Sequence, residues 1–248
     1  MTITDPYLTD LFQASSDEDL IPIRDYILSA VTNTLDIDDD YKAKPDQPTT
    51  YIDKMVSEIR LYGGNTIVNL FRGDGVEYSE IVADVGNKIS AEFEADASVM
   101  EKENAILRKI LEEAIKKMSP EDLADMEEAF REAGLRNVNI RAGMPVGMIL
   151  AQIGINTTGF AAYQTAVIVA NAVAKRVLGR GLTFAGNAAL TRTIAIFTGP
   201  VGLTISGLWT LIDIAGPAYR VTIPVVAHVA FLRQKREYES ILPDDDLL

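Results

Sequence analysis

The residues of this chain best suited to chemistry lie between positions 72 and 84, where Arg72, Asp74, Glu77, Tyr78, Glu80 and Asp84 crowd together. Spacings of three and four put Asp74, Glu77 and either Glu80 or Asp84 on one helix face, the geometry that paired carboxylates need for general acid–base work. Such faces are usually solvated. Arg72 is better read as tying a glycine turn to a neighbouring acid or carbonyl, with Tyr78 packed beside it, and an enzyme built on this stretch would need a pocket there. Upstream, Gly63-Gly64-Asn65-Thr66 could cradle a phosphate at a helix start, but it lacks the spacing and the lysine of a phosphate-binding loop. The chain has no cysteine and one histidine, which excludes disulfides, thiolate metal sites and histidine clusters. No catalytic residue, cofactor or metal ligand is therefore expected.

A second polar group stands in apolar surroundings near the C-terminus. Tyr219 and Arg220 follow an uncharged run, with Asp213 nearby. An arginine in such a setting needs a partner, so Asp213 and Arg220 are expected to form a buried pair that fixes the last helix, or a latch whose rupture frees the apolar segments. His228, eight residues beyond Arg220, reads as a packed histidine on an apolar face whose protonation would sense acid.

The elements that must position these groups read as helices throughout. Leu8, Leu11 and Phe12, then Leu20, Ile23, Ile27, Leu28 and Val31, recur at helical spacing, and Ser15 or Ser16 with Glu18 and Asp19 supplies the start of the second helix. Asp36 to Thr50, acidic and proline-bearing, reads as an exposed linker. A helix over 51–60 stops at Gly63-Gly64, and another begins after Gly73 to Gly75, the glycines serving as caps. Residues 97–117 make an amphipathic helix with Ile106, Ile110, Leu111 and Ile115 on one face. Ser119-Pro120-Glu121-Asp122 opens the next.

Beyond Arg141 the character changes. Residues 142–174 carry no charged side chain across 33 positions, more than the roughly 20 a membrane-spanning helix needs. Within that run Ala162, Ala166, Ala170 and Ala174 form a small-residue row, a packing seam for another helix. A second uncharged run covers Thr193 to Ile212 and is broken by Gly199, Pro200 and Gly202. A third apolar stretch, Val221 to Leu232, ends in Arg233, Lys235 and Arg236. The expected organisation is a helical module over 1–35, a linker over 36–50, an acidic helical region over 51–140, an apolar Ala/Gly-rich helical hairpin region over 141–240 and an acidic tail over 241–248. The fold class is all-α.

Charge divides along the same line. The net charge is −13, and residues 1–140 hold 30 of the 36 acids but 14 of the 23 bases. An acidic half of this kind repels phosphate backbones, so no nucleic-acid partner is expected. The mildly cationic, apolar half suits an anionic membrane surface.

Two blocks carry a family resemblance. LYGGNTIVNLFRGDGVEYSEIVADVGNKI, with Gly63, Gly64, Asn65, Arg72, Gly73, Gly75, Tyr78 and Asp84, and GPAYRVTIPVVAHVAFLRQ, with Tyr219, Arg220 and Pro224, resemble the YaaW family of bacterial proteins. Older classifications grouped that family with the ubiquinol-cytochrome c chaperone. The N-terminal LTDLFQASSDEDLIPIRDYI is similar to a short module at the start of such proteins. The resemblance implies a family but no activity.

The sequence thus leads to a non-enzymatic, membrane-associating effector or stress-type protein whose apolar hairpin inserts or oligomerises. The start, MTITDPYLTDLFQ, lacks the basic and apolar regions of a secretory signal, so the expected location is cytoplasmic, associating with the inner face of the membrane. The alternative is a soluble interaction or chaperone-like protein for which the alanine row docks a partner helix. A membrane, a protein partner or a second copy of the chain are the partners these readings imply.

Overall fold

Serine boxes start three of the helices of the N-terminal half. Ser16 accepts from the Asp19 amide while the Asp19 carboxylate accepts from the Ser16 amide, and the same reciprocal pair joins Ser98 to Glu101 and Ser119 to Asp122. Each box satisfies two amides that a helix start would otherwise leave unpaired. The computed structural model describes residues 4–63, 75–132, 138–153, 160–182 and 218–241. Its helices are α1 (Thr9–Gln13), α2 (Asp17–Leu28), α3 (Asp39–Ala43), α4 (Ile52–Tyr62), α5 (Tyr78–Lys88), α6 (Val99–Ile115), α7 (Pro120–Glu132), α8 (Val146–Ile153), α9 (Phe160–Leu178) and α10 (Tyr219–Ile241). No strand occurs among the described residues, and the fold class is all-α as expected.

The polar run 36–50 is not a free linker. Asp38 caps α3 by accepting from the Asp40 and Tyr41 amides, and short 3-10 turns at Leu35–Ile37 and Pro48–Thr50 flank it. The run is docked on α2. The Arg24 guanidinium donates to the Pro45 carbonyl and Asp46, and the Asp17 carboxylate accepts from the Thr49 amide and hydroxyl at 2.9 and 2.7 Å. Most of the run stays exposed, as its composition implies, and local acid–turn chemistry gives it order.

Two glycines of the first family block are required by close packing. Gly75 has φ +72°, and a Cβ there would stand 2.5 Å from the Arg60 carbonyl. Gly63 ends α4 in extended rather than left-handed geometry. It is glycine because a Cβ would meet the Ile81 side chain at 2.2 Å. The chain can therefore fold back from α4 onto α5 only with bare backbone at both points.

The last helix is the centre of the molecule. From Val221 to Leu232 every residue of α10 is buried, so this helix needs neighbours all round. α2, α4, α5, α6 and α9 provide them. Tyr163 of α9 stacks on Phe231 and Tyr238 of α10, with centroids 6.2 and 5.0 Å apart. One apolar core runs from Leu8 to Leu232, so the acidic and apolar halves differ in composition but share an interior.

The uncharged run 142–174 divides into α8 and α9, and its cover is uneven. Ala162 through Ala174 are buried, while Ala142, Gly143, Pro145, Gly147, Met148 and Ala151 are exposed. α9 stops where Gly179 takes φ +71° and the Asn171 side chain accepts from the Leu182 amide at 2.9 Å. Among the described residues no helix is long and apolar enough to cross a membrane. Gln164, Thr165 and Asn171 interrupt α9 and its last turn carries Lys175 and Arg176, which shortens its apolar length. The second uncharged run, Thr193 to Ile212, lies outside the described residues.

Candidate functional site: polar clasps on the last helix

The polar groups that α10 carries into the core are answered one by one from the N-terminal half. Glu103 lies on α6 one turn before Ile106 and Leu107, hence on the buried face, and is only 1% exposed. Its carboxylate accepts from Arg233 Nε at 2.8 Å, from a second guanidinium nitrogen of Arg233 at 3.1 Å and from the Tyr78 hydroxyl at 2.9 Å. Arg233 also donates to the Tyr7 carbonyl at 3.3 Å. Burial pushes the Glu103 carboxyl above its ordinary pKa, with Arg233 and Tyr78 acting against the rise. Burial and the facing Glu103 charge together hold the Tyr78 phenol well above its usual value.

The same tyrosine starts α5, whose N-terminus has no side-chain cap from its own sequence neighbours. Asp5 supplies one from a distance. Its carboxylate, fully buried, accepts from the Tyr78 amide at 2.8 Å and from the Tyr7 amide at 3.0 Å. A carboxylate at that position meets the positive end of the α5 dipole. α5, α6, α10 and the N-terminal segment are thus joined through one group of side chains.

A second clasp ties α10 to the first turn of α2. The Asp19 carboxylate accepts from Lys235 Nζ at 2.7 and 2.8 Å while it also serves the Ser16 box. One residue's backbone completes the arrangement: the Asp19 carbonyl lies 2.8 Å from His228 Nε2. A carbonyl can only accept, so Nε2 carries the imidazole proton. Nδ1 is buried with no hydrogen-bond partner among the described residues. Tyr26 and Phe231 meet the ring edge-on, and burial lowers the His228 pKa to about 4.

The residues singled out in the sequence fall into three groups. Gly64, Asn65, Arg72, Gly73, Asp74 and Asp213 lie outside the described residues. Tyr78 enters the Glu103 cluster, and Asp84 of α5 lies close enough to Tyr219 of α10 to raise its pKa, after burial. Lys88 stands 5.5 Å from the centroid of the Tyr219 ring, so the two family blocks meet across α5 and the start of α10. The Asp84 carboxyl is itself pushed up, first by burial and then by Glu80. Arg220, expected in the interior, is exposed at the start of α10, because the second residue of a helix can point away from a core that its third begins to fill. Pro224 is buried in the second turn of α10. Ala162, Ala166, Ala170 and Ala174 are buried within the chain itself.

Asp5, Asp19, Glu103, Arg233 and Lys235 form the clasps, and sequence reasoning did not assign them that role. For Glu103 the signal was present, since heptad-like spacing places it with Ile106, Ile110 and Leu111. Glu103 pairs with Arg233, Asp19 with Lys235, and Asp5 with the Tyr7 and Tyr78 amides; no group of three or more His, Asp or Glu able to hold a metal ion occurs among the described residues.

An all-helical chain whose long last helix is clasped by acids of the N-terminal half is the class that fold and site define. The chain belongs to the UPF0174 protein family. It is 42% identical over 198 residues to a UPF0174 protein of Helicobacter pylori strain J99, covering 80% of this chain and 77% of that one. A second UPF0174 protein of the same strain is 33% identical over 192 residues, 76% of this chain and 90% of the relative. The UPF0174 protein YaaW of Escherichia coli K12 is 27% identical over 207 residues, 84% of this chain and 81% of its own. The YaaW-like resemblance of the two sequence blocks is thereby upheld. No family model and no solved structure matches the chain.

Proposed function

We propose that this chain is a non-enzymatic helical interaction protein, in which the acidic N-terminal helices hold an apolar C-terminal helix in water so that the assembled body can engage another protein. The observation that carries the reading is α10. Twelve consecutive residues that would otherwise need lipid or a partner, Val221 to Leu232, are enclosed by five of the chain's own helices. Two clasps, Arg233–Glu103 and Lys235–Asp19, fix its register. The most enclosed carboxylate, Glu103, is committed to Arg233 and Tyr78, which favours a holding role for it over a reacting one.

A second reading, association with an anionic membrane face, is favoured by the uncharged run Thr193 to Ile212 and by Lys175, Arg176, Arg180 and Arg192 before it. Flotation of the purified chain with vesicles of phosphatidylglycerol and phosphatidylethanolamine at neutral pH separates the two. The interaction reading expects the chain to stay in the dense fractions and to give discrete cross-linked adducts heavier than its own 27.1 kDa in cells. Recovery with the vesicles would overturn it in favour of the membrane.

A further inference from the structure

The seam between α2 and α10 contains the chain's single histidine in a setting where only one protonation state can be satisfied. Nε2 donates to the Asp19 carbonyl, and Nδ1 faces no acceptor among the described residues. We propose that this seam is an acid-opened clasp: a proton added at His228 Nδ1 makes a donor that meets no acceptor among the described residues, and the chain accommodates it by parting α10 from the first turns of α2. The surrounding charges support this. From α2, Asp19 and Tyr26 face the ring, and from α10 itself Lys235 does. Tyr163 of α9 reaches the seam through its stack on Phe231. Of the other helices packed on α10, Glu103 of α6 and Tyr78 of α5 are held by Arg233 and each other, and Glu58 of α4 is held by Thr34. Lys235, a cation, opposes a charge on the imidazole, and the Asp19 carboxylate that favours one is held by Lys235 and Ser16.

The sign follows from linkage. The histidine is held near pKa 4 when folded and returns to its ordinary value of about 6.5 when the seam opens. The open form therefore binds the extra proton first. The contribution of His228 to closure is complete above about pH 6.5 and is lost as pH falls toward 4. What opening releases is the apolar run Val221 to Leu232, so acid would convert a buried helix into an exposed one.

Hydrogen exchange on the full-length chain tests the clasp. After correction for the intrinsic pH dependence of exchange, amides of Val221 to Leu232 should lose protection about 80-fold between pH 6.5 and 4, on the way to a limit of about 300-fold at lower pH. His228→Gln keeps a nitrogen donor for the Asp19 carbonyl but cannot titrate, so its protection should stay flat over that range apart from changes that both chains share. Parallel curves for the two chains would overturn the proposal. Nitrogen NMR of the single imidazole supplies a readout on the wild-type chain alone. A neutral Nε2–H ring at pH 7 that becomes charged together with the loss of α10 protection supports the clasp. An imidazolium formed near pH 6 with protection intact, or an Nδ1–H tautomer at pH 7, would overturn it.

Discussion

Replacing Arg233 with methionine keeps most of the aliphatic stem and strands the Glu103 carboxylate in the core. In the parent chain that carboxylate takes three hydrogen bonds, two from Arg233 and one from the Tyr78 hydroxyl. The substitution removes both charge-assisted bonds, each of which is ordinarily worth about 1.5–3 kcal/mol. Arg233 is itself mostly enclosed, its side chain 20% exposed, so its own desolvation cost is recovered and the sum is discounted. The net loss expected is about 3–5 kcal/mol, the range for breaking a buried ion pair by removing one partner. The deficit should depend on pH. With no cation beside it, burial acts on Glu103 against the Tyr78 hydrogen bond alone and raises its pKa further. The folded variant then binds a proton more tightly than the unfolded chain, so its deficit shrinks as pH falls from about 8 to about 5.5. Urea unfolding followed by far-UV circular dichroism at those two pH values measures both effects. Glu103→Leu combined with Arg233→Met should recover most of the loss, since no buried charge remains. A single variant within about 1 kcal/mol of the parent at the higher pH, or a double variant worse than either single one, would refute the assignment of Glu103 and Arg233 as a buried clasp.

Other substitutions probe other links. Ser16→Ala removes the box that also orients Asp19 toward Lys235, and should cost about 1 kcal/mol in urea unfolding, most of it retained when Lys235 is already methionine. Gly75→Ala imposes a left-handed penalty of about 1–2 kcal/mol and adds a clash with the Arg60 carbonyl, so a thermal midpoint unchanged from the parent would contradict the close approach of α4 and the turn. Ala166→Leu and Ala170→Leu overfill a row that is buried in the chain, and each should destabilise by about 1–3 kcal/mol; unaltered stability for both would mean that the row is open to an outside helix.

Local chemistry was legible in the sequence and distant pairing was not. The serine starts at Ser16 and Ser119, the apolar face of α6 and the apolar stretch of α10 all follow from residues a few positions apart, where spacing fixes geometry, whereas the reason for glycine at 63 and 75 lies with Ile81 and Arg60. Glu103 and Arg233 are 130 positions apart, and Asp5 and Tyr78 are 73 apart. Periodicity tells which face each occupies but not which helix lies opposite. Arg220 illustrates the opposite error. Apolar neighbours in sequence suggested an interior position, yet the cation at the start of α10 faces out, while the one at the end of the same apolar stretch, Arg233, turns in. The run 36–50 is exposed at most of its positions, as read, yet it is ordered. What spacing did not show is that Asp38 commits its carboxylate to a helix start and that Arg24 gathers Pro45 and Asp46 onto α2. The uncharged run 142–174, long enough by count for a membrane span, is covered unevenly. Its second part is hidden among protein neighbours, while Gly143, Gly147 and Met148 in its first part meet solvent.

The enclosure of α10 by its own chain is the claim on which the rest depends, and the absence of cysteine makes it directly measurable. Single cysteines placed at Ala227, fully buried in α10, and at Ser240, exposed on the same helix, can be labelled with a maleimide in aqueous buffer without lipid or detergent. The Ser240→Cys chain should react at the rate of the unfolded protein, and the Ala227→Cys chain should react only after urea is added. Equal and rapid labelling at both positions in buffer would mean that α10 is not held inside the helical body.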